Sequence, residues 1–115
     1  MKALENDILD ILSESGLDYI RREDNKKLWQ DAYNLLEYQS TEYLSSRIDL
    51  LNEFNKGNYD ELVDISLIFI VSGKPAGLWP LTLSQNSNSK YLSSQCSHIL
   101  SPILIPDCSP KIVKK

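Results

Sequence analysis

A chain of 115 residues, 42% apolar and 24% charged, has the size and composition of one domain that buries roughly two thirds of its unfolded surface, which excludes a fibrous repeat or a disordered chain. Its charge is divided: residues 1–64 hold 15 of the 16 acids against 7 Lys and Arg, a net of −8, whereas residues 65–115 hold Asp107 against 5 Lys, a net of +4. The acidic first half repels phosphate backbones and argues against nucleic-acid binding, and no run reaches the ~18 apolar residues of a membrane span, which argues against a membrane partner.

The amino terminus, MKALENDILD, has acids where a signal peptide needs an unbroken apolar core. Two cysteines, Cys96 and Cys108, are too few for a secreted disulfide framework. Both features point to a cytoplasmic protein.

The segment ALENDILDILSES sets Leu4, Ile8, Ile11 and Leu12 at helical spacing, with Gly16 as the stop. A second helix is predicted from about Asp24, as N-cap, to Gln39, with Leu28, Ala32, Leu35 and Leu36 as its buried stripe, widened by Trp29 and Tyr33. A third follows in STEYLSSRIDLLNEFNKG, capped by Ser40 or Thr41, with Leu44, Ile48, Leu51 and Phe54 turned inward and Lys56-Gly57 ending it. Asn58 with Glu61 has the form of a capping box, which predicts one more helical turn through Leu62.

The pattern then changes. Residues 65–71, ISLIFIV, are apolar and rich in β-branched side chains, as in a strand covered on both faces. Turn chemistry at Ser72-Gly73-Lys74-Pro75 and a return strand over 76–84 predict an antiparallel hairpin, with Pro80 confined to an edge or a bulge. SQNSNS reads as an exposed polar loop. The last third alternates short apolar pieces with Pro102, Pro106 and Pro110, the chemistry of edge strands or an extended arm suited to packing on another molecule. The order predicts one α+β domain over 1–115, helical over 1–63 and β-rich over 64–115, its three or so helices packed on one face of a small antiparallel sheet.

Chemistry is sparse. His98 follows Cys96 by two residues, but a nucleophile and its base meet across a fold rather than along one short segment, and no orienting third group is apparent. Cys96, His98 and Cys108 lack a fourth zinc ligand. GKPAG departs from the phosphate-binding loop, since Lys74 precedes Pro75 and a strand follows. Acids such as Asp7, Asp10, Glu14, Asp31, Glu37, Asp49 and Glu53 lie off the apolar stripes, as on a solvated face. Tyr33, Tyr38 and Tyr43, at the junction of the second and third helices, fit either the rim of a core or an interface. No catalytic residue, metal or cofactor is therefore expected. Trp79, Tyr91 and His98 are the candidate ligand-binding residues.

The run Ile65 to Val71, then Gly73, Lys74, Pro75, Gly77, Trp79, Pro80 and Leu81, with SPILIP at 101–106, resembles the early hairpin of acyltransferases related to the GNAT and FemAB-like groups of bacterial polysaccharide clusters. The resemblance spans residues 24–106. It implies an acceptor-side module without the acetyl-CoA loop, since no glycine follows Gly77, and no catalytic residue carries over. The chain is also similar to small orphan proteins of bacterial mobile gene cassettes. The expected function is non-catalytic: a binding domain acting through self-association or a protein partner, through the proline-rich third or a sheet edge. The alternative is a truncated acyltransferase-like module or small-ligand binder.

Overall fold

The computed structural model describes residues 2–106. It is an α+β fold with two antiparallel sheets. Helix α1 (Lys2–Glu14) ends before Gly16 as expected, but its buried face is rotated: Leu9 packs inward beside Leu4, Ile8 and Leu12, and Ile11 is exposed. On a 3.6-residue helix Leu9 and Glu5 lie on one flank of the Leu4–Ile8–Leu12 row and Ile11 on the other. The buried Glu5, paired at 2.6 Å with Arg21 on strand β1 (Asp18–Arg21), holds the first flank down.

Helix α2 (Lys26–Asn34) is shorter than its apolar pattern predicts. Its N-cap is Asn25 rather than Asp24, Asn25 Oδ1 accepting from the Leu28 amide at 3.0 Å, because Arg22–Asp24 form a 3₁₀ turn just before it. Leu35 closes the helix and is exposed, while Trp29, Ala32, Tyr33 and Leu36 are buried. Helix α3 (Ser45–Asn55) is preceded by a 3₁₀ turn at Thr41–Tyr43, which displaces its start beyond the expected Ser40 or Thr41 cap. Ile48 is buried, but Phe54 points to solvent, 73% exposed.

Strand β2 (Glu61–Asp64) replaces the helical turn expected after Asn58; pairing with another strand overrides the local capping signal. The chain runs on through Ile65-Ser66 into β3 (Leu67–Val71), turns at Ser72-Gly73 and returns as β4 (Lys74–Trp79). Both turn residues have positive φ, 51° and 76°, as a two-residue type I′ hairpin requires. The predicted return strand is then broken at Pro80-Leu81, and β5 (Thr82–Asn86) continues beyond the break. SQNSNS is no loop: Asn86 pairs with Ser89, and β6 (Ser89–Ser93) folds back along β5. The proline-rich third supplies one two-residue edge strand, β7 (Ile103–Leu104); Cys108, Pro110 and Ile112 to Lys115 lie outside the described residues.

The two long arms, 61–71 and 74–86, thus form one hairpin divided midway into two sheets, β1-β3-β4-β7 and β2-β5-β6. At the division Pro80 has no amide to give. The Ile65 amide still reaches the Leu81 carbonyl at 2.9 Å, but the Leu81 amide donates to the Ser66 hydroxyl, at 2.9 Å, in place of a backbone carbonyl. Further along β4, Ala76 is an extra residue opposite the Phe69–Ile70 step, a bulge. Gly77 lets β7 approach closely, since a Cβ there would stand 2.9 Å from the Ile103 carbonyl oxygen.

The helices do not gather on one face. Alternate residues of β3 enter different cores: Ile68 and Ile70 pack with Trp29, Ala32 and Tyr33 of α2, whereas Leu67 and Phe69 pack with Leu4, Ile8 and Leu12 of α1. The continuous ISLIFIV run reflects this two-sided cover.

Arg22 is fully buried between the sheets and α3. Its Nε and Nη2 donate to Asp64 Oδ2 at 3.0 and 2.6 Å, its Nη1 to Ser45 Oγ at 2.8 Å, and Nη2 also meets Asp49 at 2.6 Å. The guanidinium lies 6.0 Å from the Trp29 ring centre. Asp64 Oδ1 accepts from the Ser66 amide at 2.9 Å. Burial opposes charge on Asp49, but hydrogen bonds from Arg22 and Lys26 outweigh it and hold its carboxyl below the ordinary value.

Arg22→Met leaves Asp64 buried without its partner and costs about 3–5 kcal/mol of stability, read by urea denaturation. A loss near zero shows that the pair is dispensable. Asp49 has a depressed folded-state pKa, so its contribution is present above about pH 4, its unfolded value, and is lost as pH falls through the folded one. The gap in melting temperature between wild type and Asp49→Asn accordingly shrinks on acidification; a constant gap contradicts the pairing.

Candidate functional site

The residues after β6 form a short strapped segment. Ser94 and Ser97 bridge, with the Ser97 amide donating to the Ser94 carbonyl at 3.1 Å, so Gln95 and Cys96 are the central residues of a two-residue turn. Both have left-handed backbones, φ 51° and 63°, without being glycine. Each such residue costs about 1–2 kcal/mol and persists only where its surroundings impose it.

The surroundings here are polar and specific. The Gln95 amide donates to Thr82 Oγ1 at 3.2 Å and the Cys96 amide to Ser93 Oγ at 2.9 Å. Ser94 Oγ donates to the Pro80 carbonyl at 2.6 Å and accepts from the Leu100 amide at 2.9 Å. Asn55 of α3 reaches the Gln95 carbonyl at 3.3 Å. One atom is left over: Gln95 is 5% exposed, and its Nε2 has no acceptor among the described residues. A cavity of about 180 Å³ lies beside this turn, lined by Glu42, Arg47, Gln95, Ser97 and His98.

The three sequence candidates occupy three different places. His98 lines the cavity. Trp79 is half-buried on β4, packs 6.2 Å from Phe69, and uses its indole N–H to hold the Leu100 carbonyl at 2.7 Å, so it fastens the segment. Tyr91 is on β6, 49% exposed, its ring edge-on to Tyr59 at 6.4 Å. The Tyr59 phenol is pushed above its usual pKa by its interaction with the Cys96 thiol. Tyr43 fastens the far end of the segment, donating to the Ser101 carbonyl at 2.6 Å; burial and then the charge of Glu42 push its phenol upward, which keeps that proton in place. Tyr33 is buried too, and of the three junction tyrosines Tyr38 alone is exposed.

Arg47, Gln95 and Ser97 escaped the sequence reading. Only the backbone conformation marks Gln95, and QCS carries no glycine or asparagine to signal a turn. Asp49, read as part of a solvated face, is instead a shared acceptor for Arg22 and Lys26.

A larger open cleft of about 930 Å³ lies between α3 and β2. Most of its charges are paired, Lys26 with Asp49, Lys56 with Glu53, Arg21 with Glu5 and Asp64 with Arg22; Glu23 is exposed. Among the described residues no group of three or more His, Cys, Asp or Glu is placed to hold a metal, and no helix is long and apolar enough to cross a membrane. Comparison with family models, curated proteins and solved structures returned no match.

Glycine accepts φ of +63° without strain, so Cys96→Gly raises stability by about 0.5–1 kcal/mol after allowing for its greater freedom in the unfolded chain. Chemical denaturation measures this, and a loss of stability means that the thiol contact with Tyr59 outweighs the backbone strain.

Proposed function

We propose that this chain is a non-catalytic binding domain that acts as a homo-oligomer, two copies joining their three-stranded sheets along β6. The observation that supports it is the open edge of β6. An edge strand presents alternate unpaired N–H and C=O groups and is a template for another strand unless something blocks it. The other edges carry such blocks. β7 is two residues long between Pro102 and Pro106. β2 bears Glu61 and Asp64, and Arg21 Nη2 occupies the Asp64 carbonyl at 2.8 Å. β1 begins and ends on charged residues, Asp18 and Arg21.

β6, by contrast, is SKYLS, five residues with one charge, no proline and no bulge, with Tyr91 49% and Leu92 39% exposed. Antiparallel self-pairing about Tyr91 sets the two Tyr91 rings opposite each other and each Lys90 opposite a Leu92. The ammonium groups stay apart, and an aromatic cross-strand pair contributes about 0.2–1 kcal/mol. The contact is closed and two-fold, as most homodimers are.

Light scattering on a sizing column should give twice the 13.1 kDa chain mass. Leu92→Lys sets an ammonium against Lys90 of the other copy at both ends of the pairing and returns the protein to monomer, whereas adding Lys90→Glu restores the dimer. A wild-type monomer at every concentration, or a dimer indifferent to Leu92→Lys, overturns the proposal.

A further inference from the structure

We infer that two copies of this chain exchange the arm from Ser97 to Pro106, each laying it on the body (residues 2–94) of the other, with the Gln95–Cys96 turn as the hinge. The exchange does not rest on pairing along β6. A dimer paired about Tyr91 keeps each arm on its own body, whereas an exchanged pair has its two-fold axis at the opened turn.

The first observation is where the arm's contacts go. Its hydrogen bonds run to residues that precede the turn. The Leu100 amide donates to Ser94 Oγ at 2.9 Å and the Ile105 amide to the Ala76 carbonyl at 3.0 Å, while Trp79 Nε1 and the Tyr43 hydroxyl donate to the Leu100 and Ser101 carbonyls at 2.7 and 2.6 Å. Ile103 and Leu104 pair with Leu78 and Gly77, and the buried Ile105 joins the core around Trp29. An arm whose contacts lie on the body rather than within itself makes the same contacts on an identical neighbour, which is what makes exchange a low-cost route to a dimer.

The second is the hinge. A short strained connection invites exchange, because opening it relieves strain in both chains while the contacts of the arm are kept. Gln95 and Cys96 have φ of 51° and 63°, and each left-handed residue of this kind disfavours the closed turn about tenfold. The turn at Ser72-Gly73 puts a glycine at one of its two left-handed positions; here neither residue is glycine. Opening also brings the Gln95 side-chain amide to water, and its Nε2 is buried in the closed turn without an acceptor among the described residues.

Against this stand the hydrogen bonds of the closed turn, from the Gln95, Cys96 and Ser97 amides to Thr82, Ser93 and the Ser94 carbonyl, and from Asn55 to the Gln95 carbonyl. In the opened form residues 94–97 of the two copies run antiparallel past each other, and their backbone groups become one another's partners. The stretch SSQCSHI, 93–99, carries no proline or glycine to interrupt that pairing.

The test uses Leu92→Lys, which blocks pairing along β6 and changes neither the arm nor the turn. Refolding this variant from urea at millimolar chain concentration should give a dimer that survives dilution on a sizing column with light scattering. In the same background Ala76→Cys and Ile105→Cys, opposite each other on β4 and the arm, are combined with Cys96→Ser and Cys108→Ser. Oxidation of that dimer should link two chains covalently on a non-reducing gel. Cys96→Gly, which takes strain out of the closed turn in both chains, should lower the association constant of the dimer by about fivefold or more. Leu92→Lys that refolds only to monomer, or a dimer whose engineered disulfide closes within one chain, overturns the exchange. An association constant unmoved by Cys96→Gly overturns the turn as its hinge. A wild type that fails to pair along β6 leaves all of these expectations in place.

Discussion

The fold turns on one buried charge. Arg22 sits where a long hairpin divides into two sheets, and its guanidinium finds acceptors on three residues of two elements, Asp64 of β2 and Ser45 and Asp49 of α3, with its own backbone amide on the Ser66 carbonyl at 2.8 Å. Burying a guanidinium is costly unless every donor is used, and a hydrophobic replacement for such a pair often matches it in stability. What the pair contributes here is position. A cation tied at three points admits one placement of α3 over β2, and through Asp64 Oδ1 it also fixes the Ser66 amide at the division.

From that point a string of polar contacts runs through the interior. Ser66 takes over the Leu81 amide that the broken ladder leaves without a carbonyl; the neighbouring Pro80 carbonyl accepts from Ser94, and Ser94 accepts from Leu100. Pro80 is therefore the cause of two features. It ends β4 and so sends β5 into a second sheet, and the carbonyl beside the break becomes the anchor for the strapped segment that carries Gln95, Cys96 and His98. Trp79, next to Pro80, holds the same segment at the Leu100 carbonyl. The strain of the Ser94–Ser97 turn is sustained by contacts that the proline break makes available.

Much of the local structure was legible in the residues. The 3.6-residue rows of α1 and α2, the apolar run of β3 and the Ser72-Gly73 turn follow from periodicity and turn chemistry, because those signals lie within a few residues of the element they specify. Tertiary partners set the rest. Glu5 is drawn inward by Arg21, which rotates α1 and exposes Ile11; the Asn58–Glu61 capping signal yields to pairing of β2 with β5; and the polar SQNSNS makes a hairpin because Asp60 caps its turn, accepting from the Ser87 amide at 2.8 Å. The division of helices between two faces was hidden for a related reason. An unbroken apolar strand says that both faces are covered, but not by which helix.

The site was less legible than the fold, and the difference is instructive. His98 stood out as the sole histidine, yet the groups beside it, Arg47 and Gln95, come from α3 and from a turn that no residue in QCS announces. Local rules fail plainly at Gln95 and Cys96: two consecutive non-glycine residues take the left-handed region, and the buried side-chain amide of the first has no acceptor among the described residues, as is also true of the buried Arg21 Nε and Ser84 Oγ. Where local preference, polar satisfaction and fold all agree, a residue needs no further account; where two of the three are broken at one residue, the compensation has to lie elsewhere. Hydrogen bonds from the backbone amides to Thr82 and Ser93, and from Asn55 to the Gln95 carbonyl, compensate the backbone of this turn but leave the Gln95 side chain alone.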